Sequence, residues 1–302
     1  MANTASDWPE LPYDAWRETL DTLHMYTQVV GKIRLALSPF EPQWANVPLY
    51  LTARGLTTSP VPDGLRTFDI EFDFIDHRLV LRANDGGAEE IPLAPRAVAD
   101  FYQDVMGALG RLGVDVTISP GPSEVPDPIP FAEDRVHHSY EPADARRFFH
   151  VLSQVDVVLK EHRSRFTGKC PPVQFFWGSF DLVGSRFSGR PVTPPPGADT
   201  ITRYGGDAEQ ICGGFWPGHP QFPRAAFFAY GYPKPDGIEA ASIRPEGAGW
   251  NADIGEFVFP YDAMRAAANP RRALLDFLAS TYDACAQQMG WSPELTQVHA
   301  PS

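Results

Sequence analysis

The sequence has few cysteines, no C-x-x-C pair and no long apolar run. Only three of its 302 residues are cysteines, so we expect neither a disulfide framework nor a structural zinc knuckle. No apolar run approaches the roughly 18 residues that a membrane-spanning helix needs. The N-terminus also lacks the basic and apolar regions of a signal peptide. We therefore expect a cytoplasmic protein with no membrane partner.

The sequence also lacks any cluster of basic residues. It has 38 acidic and 25 basic side chains, which give a formal net charge of −13. A chain of this charge is repelled by the phosphates of nucleic acids, so we expect no nucleic-acid partner. With 43% hydrophobic and 12% aromatic residues, the chain can bury a substantial core. These features indicate a globular protein and leave its oligomeric state open.

Periodic patterns in the first part of the chain predict a helix, several strands and a second helix. Apolar residues recur at helical spacing from Trp16 to Val30 within "YDAWRETLDTLHMYTQVVGKIRLAL". The β-rich segments that follow include a hairpin that turns near His77. Pro95 is placed to begin the second helix and Gly113 to end it.

The same order of elements is predicted again in the second part. The segment "SPGPSEVPDPIPF" carries five prolines and forms no regular element, which is typical of a linker. A helix from Pro142, several strands and a helix from Pro270 follow it. We predict an α+β fold of two similar helix–antiparallel strands–helix halves, a pattern that suggests an internal duplication. The predicted boundaries are 1–118 for the first half, 119–134 for the linker, 135–292 for the second half and 293–302 for a tail.

One apolar segment, "PVQFFWGSFDLVGSRFSG", contains two charged residues. Read as a single strand, it places Trp177, Ser179 and Asp181 on one face. Arg186 then lies on the other face, unless a bulge at Gly184 changes the alternation. The segment predicts either the wall of a ligand pocket or an ordinary strand end whose charges reach water.

The first predicted helix carries a polar ridge beside its apolar stripe. His24, Gln28 and Lys32 recur at every fourth position. Such a ridge could bind a carboxylate or phosphate and transfer a proton, because histidine titrates near neutral pH. The alternative is a buried histidine with satisfied hydrogen bonds at a junction between helix and sheet.

Two further segments gather residues that could carry chemistry. The loop "FAEDRVHHSYEP" contains His137 and His138 among carboxylates, which suits a metal ion, although its spacing matches no metal-binding motif. The glycine-rich "GGDAEQICGGFWPG" contains Glu209, Cys212 and Trp216 but no nucleotide-binding pattern. Neither segment predicts a cofactor or a metal centre by itself.

The chain resembles a bacterial family catalogued as domain of unknown function 5996. The resemblance runs over residues 8–292 and rests on motifs such as "LHMYTQVVGKIRLALSP", "IEFDFIDHRLV" and "GGFWPG". It implies one family unit and no particular activity. The family often has a His-Glu pair before its "GFWPG" motif, whereas this chain has Ala208 and Glu209 there. That departure weakens any metal site held by histidine at this position.

These observations lead to a first hypothesis of a cofactor-free enzyme with acid–base or hydrolytic chemistry. Its pocket would lie between the halves and bind an anionic small molecule, with His24 or Asp181 transferring a proton. Lys32, Arg54 and Arg186 would bind the anion. The other predicted substrate contacts are Gln28, Trp177, Glu209 and Trp216.

Two alternatives remain open from the sequence. The same residues could form a polar network in a non-catalytic ligand-binding or assembly module. The chain could also be a metalloenzyme that uses the loop of His137 and His138.

Overall fold

The computed structural model describes residues 7–296 and shows an α+β fold with two antiparallel sheets. Residues 1–6 and 297–302, which include most of the predicted tail, lie outside this range. The α-helices are α1 (Tyr13–Leu37), α2 (Val98–Arg111), α3 (Pro142–Arg163), α4 (Thr200–Gly205), α5 (Tyr261–Ala266) and α6 (Pro270–Gln288). The first sheet contains β1 (Tyr50–Leu51), β2 (Gly55–Thr57), β3 (Val61–Asp63), β4 (Arg66–Asp73), β5 (Arg78–Ala83) and β6 (Ala88–Pro92). The second contains β7 (Gln174–Phe176), β8 (Asp181–Pro191), β9 (Ala208–Trp216), β10 (Ala226–Tyr232), β11 (Gly249–Asn251) and β12 (Glu256–Pro260).

Helix α1 forms over the segment that the apolar spacing predicts. Trp16, Leu20 and Leu23 are buried on the side that packs into the core. Burial of such large side chains stabilises an amphipathic helix more than its intrinsic propensity does. The helix ends before Ser38, whose backbone adopts an extended conformation.

The first sheet is a meander in the order β1-β2-β4-β5-β6, and β3 also pairs with β4. The predicted hairpin is confirmed as β4 and β5, and His77 in its turn has a φ of 51°. His77 Nδ1 lies 2.9 Å from the hydroxyl oxygen of Tyr140, which attaches the hairpin tip to the segment before α3.

The second sheet has the order β11-β12-β10-β9-β8-β7. Helix α3 packs against β8, and α6 packs against β9 and β10. Leu182, Phe215 and Phe227 point to this helix-covered face and join the main hydrophobic core. Val183, Cys212 and Phe228, each an odd number of strand positions away, form a separate cluster on the opposite face. We call this opposite face, which the helices do not cover, the open face.

The prediction of one continuous strand over "PVQFFWGSFDLVGSRFSG" is wrong. The segment is a hairpin in which β7 ends at Phe176, four residues turn, and β8 begins at Asp181. Gly178 lies in the turn, and Phe180 has a φ of 58°. Glycine and serine favour such turns over extended strand, and this local preference outweighs the apolar character of the flanking residues.

The hairpin changes which side chains share a face. Phe176 pairs with Asp181 across the hairpin, so these two residues both point to the open face. Gly184 pairs regularly with Gly213, and the irregularity in β8 lies between Phe187 and Pro191 instead. Arg186 therefore points to the helix-covered face, away from Asp181.

The two halves share one main hydrophobic core. Leu49 and Phe175 exchange two backbone hydrogen bonds of 2.9 Å, which join the first half to β7. Both halves have the predicted order of helix, antiparallel strands and helix, but this shared order does not by itself demonstrate a duplication. Within residues 7–296, none of the helices combines the length and apolar character that a bilayer crossing requires.

Candidate functional site

A cavity of about 740 Å³ lies over the open face of the second sheet. Its volume is within the range typical of small-molecule sites. Its floor consists of alternate residues of β7, β8, β9 and β10, because side chains on one face of a strand recur at every second position. The floor residues are Gln174, Phe176, Asp181, Val183, Ser185, Phe187, Gln210, Cys212 and Tyr230.

The other walls come from both halves of the chain. They include the 3-10 helix Pro42–Trp44, the Pro-rich segment at Ser123 and Glu124, and part of α4. The Trp44 indole donates a hydrogen bond of 3.0 Å to the carbonyl of Ile201 in α4. The cavity thus lies where the first half and the Pro-rich segment approach the second sheet.

Trp177 forms one wall and is held in place by α1. Its indole N–H donates a hydrogen bond of 3.0 Å to the carbonyl of Val47. Its ring lies directly against Gly31, where an added Cβ would be 2.2 Å from the indole nitrogen. Glycine at position 31 is therefore required for this approach of the ring to the helix.

The polar ridge of α1 lies behind the cavity and holds two of its walls. The amide of Gln28 bonds both backbone groups of Ser123, donating at 2.7 Å to the carbonyl and accepting at 2.9 Å from the N–H. Lys32 donates at 2.9 Å to the hydroxyl of Ser123. His24 donates through Nε2 at 2.9 Å to the carbonyl of Gly178. These three residues position the lining segments without lining the cavity themselves.

The environment of His24 keeps its ring neutral. Burial lowers the pKa of His24 to about 4, although its hydrogen bond to Gly178 acts in the opposite direction. The ring also packs at 5.0 Å from the ring of Phe180. His24 is partly buried, and its hydrogen bond to Gly178 connects α1 to the hairpin turn.

Asp181 is the buried carboxyl group of the cavity floor. It is only 9% exposed, and one oxygen accepts a hydrogen bond from the Ser179 hydroxyl. None of the described basic side chains pairs with it. Burial raises the pKa of Asp181 to about 7, the Ser179 hydrogen bond opposes this rise, and the nearby Glu124 carboxylate adds to it. Asp181 can therefore exchange a proton near neutral pH.

A row of polar side chains crosses the floor beside Asp181. Ser185 pairs with Cys212, and Cys212 pairs with Tyr230, on three adjacent strands. The Cys212 sulfur lies 3.3 Å from the Ser185 hydroxyl oxygen. Burial raises the pKa of Cys212 to about 11, and Cys212 together with burial raises that of Tyr230 well above its ordinary value. Both groups remain protonated at neutral pH and act as hydrogen-bonding groups.

A second carboxyl group lies next to this row. Glu256 is at the start of β12, beside Tyr230 on the same face, and its Oε2 has no hydrogen-bond partner among the described residues. Burial raises the pKa of Glu256 to about 7, and the charge of Asp181 contributes to the rise. The ionised form of Asp181 therefore makes Glu256 harder to ionise.

The two arginines predicted to bind an anion lie elsewhere. Arg54 pairs with Asp73 at 2.7 Å and with Asp76 at 2.6 Å on the first sheet. Arg186 is buried on the helix-covered face, donates to the carbonyl of His162 and lies 4.4 Å from the centre of the Tyr282 ring. Lys169, which is exposed, is the one basic residue among the described ones that lines the cavity.

Two other predicted contacts also lie outside the cavity lining. Glu209 accepts hydrogen bonds from Ser188 at 2.9 Å and from Trp291 at 3.1 Å. Trp216 is on the open face but stacks on Phe228, with ring centres 4.8 Å apart. Of the nine predicted site residues, Trp177 and Asp181 line the cavity directly.

The loop of His137 and His138 is tied to the core by one of its carboxylates. Asp134 is buried, and its side chain bonds His137 Nδ1 at 2.7 Å and the backbone N–H of Val136 at 3.0 Å. Among residues 7–296, no three His, Cys, Asp or Glu side chains are placed to hold a metal ion together. The described residues therefore add no support to the metalloenzyme hypothesis.

The sequence contains a further signal for the residues on the open face. In β8 to β10 and β12, polar side chains replace apolar ones at alternate positions, as at Ser185, Gln210, Tyr230 and Glu256. Alternation of this kind in strands rich in glycine and phenylalanine indicates a face that contacts water or a ligand. Glu124 carried no such signal, because its segment has no periodicity.

The fold and the cavity define an α+β protein with a small-molecule-sized cavity on the open face of one antiparallel sheet. The chain belongs to the family of unknown function DUF5996, whose match covers residues 8–298 and confirms the resemblance seen in the motifs. No curated protein and no solved structure matches the chain.

Proposed function

We propose that this protein is a small-molecule enzyme whose substrate occupies the cavity over the second sheet and exchanges a proton with Asp181. The observation that carries the proposal is the position of Asp181: a buried carboxyl group on the cavity floor without a basic partner. An isolated carboxyl in a cleft is unfavourable for folding and is typical of acid–base catalysts. The proposal includes no cofactor.

The raised pKa of Asp181 supports this role. A general acid or base works best when its pKa is near the working pH, and the pKa of Asp181 is about 7. The Ser179 hydroxyl would orient the carboxyl group, and the hydrogen-bonding groups of Ser185 and Tyr230 would fix the substrate. Trp177 and Phe176 would provide apolar walls that exclude water.

A non-catalytic ligand-binding protein is the second candidate. The thiol of Cys212 favours this candidate. Its pKa is raised, so the thiol stays protonated at neutral pH and is a poor nucleophile. In this candidate, Asp181 binds a ligand and transfers no proton. Both candidates place the small molecule in the same cavity.

The substitution Asp181→Asn tests the proposal. Wild-type and variant protein are incubated with a bacterial metabolite extract, and untargeted mass spectrometry records which compounds disappear or appear. We expect the wild type to convert at least one compound and the variant to convert it at least about a hundredfold more slowly, the usual contribution of a general acid or base. The variant keeps the shape of the side chain, so its fold is retained.

The control is Arg54→Gln, which changes a predicted site residue that lies outside the cavity. This variant is expected to convert the same compound at the wild-type rate. Equal conversion by wild type and Asp181→Asn would contradict catalysis by Asp181. A compound that raises the melting temperature of the wild type alone, without being converted, would favour the non-catalytic candidate.

A cytoplasmic location and the absence of nucleic-acid partners remain part of this proposal. The net charge of −13 supports the second point, because it opposes binding to phosphates. Cell fractionation with an antibody against the native protein tests the location, with the protein expected in the cytosolic fraction.

A further inference from the structure

We propose that the ligand of this cavity is an organic amine, bound as its ammonium cation. This inference rests on the proposed function, since it assigns a substrate class to the same cavity. The inference is based on the acidic and aromatic side chains that surround the buried carboxyl group of Asp181, which has no basic partner among the described residues.

The charges near the cavity favour a cation. Asp181 and Glu124 line the cavity, and Glu256 lies beside it next to Tyr230. Lys169 is the one basic residue among the described ones in the lining; Lys169 and Glu124 are both exposed, whereas Asp181 is buried. An anionic ligand would therefore meet carboxylates without a buried cation to bind it, whereas an ammonium group would be attracted to them.

Two carboxyl oxygens, one in the cavity floor and one beside it, could each accept a hydrogen bond from an ammonium group. One oxygen of Asp181 accepts from Ser179, and the other accepts no hydrogen bond from another described residue. Oε2 of Glu256 is buried and has no hydrogen-bond partner within residues 7–296. An ammonium group has three N–H donors, and a charge-assisted hydrogen bond to a carboxylate is stronger than a neutral one. Binding at Asp181 would also restore its ionised state.

The remaining walls suit the organic part of such a ligand. Phe176, Phe187 and Tyr230 line the floor and keep part of their surface exposed to the cavity. Aromatic faces attract cations as well as apolar groups. The side-chain amides of Gln174 and Gln210 add hydrogen-bonding groups at the same surface. A neutral ligand could use these walls but would leave the Asp181 carboxylate unpaired.

Three probes of similar shape and different charge test the inference. Benzylammonium, benzyl alcohol and phenylacetate carry charges of plus one, zero and minus one. Their binding to the full chain is measured by isothermal titration calorimetry at about pH 8, where Asp181 is largely ionised in the free protein. We expect benzylammonium to bind at least about tenfold more tightly than benzyl alcohol, and phenylacetate to bind most weakly.

Substitutions test whether the preference for the amine over the alcohol arises in the cavity. Asp181→Asn is expected to reduce the preference for the amine over the alcohol to less than about threefold, and Glu124→Gln to reduce it partly. Glu90→Gln removes the same charge from the first sheet, where Glu90 pairs with Arg78 at 2.9 Å, and should keep the preference. Lowering the pH to about 5.5 should weaken amine binding to the wild type, because Asp181 is then protonated.

The outcomes separate this inference from the proposed function. Tighter binding of benzyl alcohol or phenylacetate than of the amine overturns the inference but leaves a ligand cavity in place. An amine preference that persists in Asp181→Asn also overturns it, because the cation would then bind elsewhere. Failure of benzylammonium to bind contradicts the inference as well, and the metabolite-conversion experiment then decides the proposed function independently.

Discussion

Asp181→Asn should raise the free energy of unfolding by about 4 kcal/mol at pH values near 8, which is an unusual result for a buried position. Burial raises the pKa of this carboxyl from 3.8 to about 7. The rise corresponds to roughly 4 kcal/mol of lost stability when the group is ionised, because one pKa unit is worth about 1.36 kcal/mol. Asparagine has the same shape and can still accept the Ser179 hydrogen bond, but it carries no charge.

The sign of the pH dependence follows from proton binding. Between its unfolded pKa near 3.8 and its folded pKa of about 7, Asp181 binds more protons in the folded state than in the unfolded state. Its contribution therefore becomes more destabilising as the pH rises through this window and is constant above it. The stabilisation by Asp181→Asn should be absent near pH 4 and complete near pH 8, as measured by urea unfolding at a series of pH values.

Asp73→Asn provides a control of opposite sign. Asp73 is also buried, but its hydrogen bonds to Arg54 and to the backbone N–H groups of Ile75 and Asp76 outweigh burial and lower its pKa. A group of this kind stabilises the fold above its unfolded pKa and loses that contribution as the pH falls. We expect Asp73→Asn to destabilise the protein at neutral pH. If Asp181→Asn behaved in the same way, Asp181 would be a structural residue and the proposed function would lose its main support.

Gly31→Ala should destabilise the protein by about 2 kcal/mol and disturb the cavity, although alanine favours helices. The new methyl group would lie 2.2 Å from the Trp177 indole nitrogen, so the ring must move. That movement breaks the hydrogen bond from Trp177 to Val47 and alters one wall of the cavity. The loss is measured by urea unfolding, and the change at the cavity by the weaker binding of benzylammonium.

Gly110→Ala is the matched control for this substitution. Gly110 lies in α2, and an added Cβ there meets no atom within 4 Å. This variant should gain about 1 kcal/mol from helix propensity and bind ligands as the wild type does. Adding Trp177→Leu to Gly31→Ala should recover part of the lost stability, because the smaller side chain leaves room for the methyl group. A neutral or stabilising Gly31→Ala would contradict the close packing of Trp177 on α1.

The sequence allowed α1 and the order of elements to be predicted because both depend on local periodicity. The apolar spacing around Trp16 and Leu23 indicates one helix face, and the face is buried as expected. The hairpin at Gly178 was missed for the opposite reason: its flanking residues are so apolar that the segment could be read as one strand. A short turn depends on the local preferences of a few residues, and it produces no periodic pattern that could be recognised in the sequence.

The candidate site was predicted only in part because its geometry depends on contacts between distant segments. Asp181 was found because a carboxylate within an apolar segment is unusual. Gln28 and Lys32 were also recognised, but their partner is Ser123, which lies 95 and 91 residues further along the chain. Arg186 lies on the face opposite Asp181, as regular strand alternation predicts, because Gly184 forms no bulge. The contacts of Gln28 and Lys32 with Ser123 are determined by tertiary packing, which one sequence does not display.

The most direct test of the account is a crystal structure of the protein grown with benzylammonium. We expect electron density for the probe over the open face of the second sheet, with its nitrogen within hydrogen-bonding distance of the free oxygen of Asp181 and its ring near Phe176 or Tyr230. A cavity that contains only solvent in crystals saturated with the probe would contradict the central claim. Density for the probe at another surface of the molecule would contradict it equally.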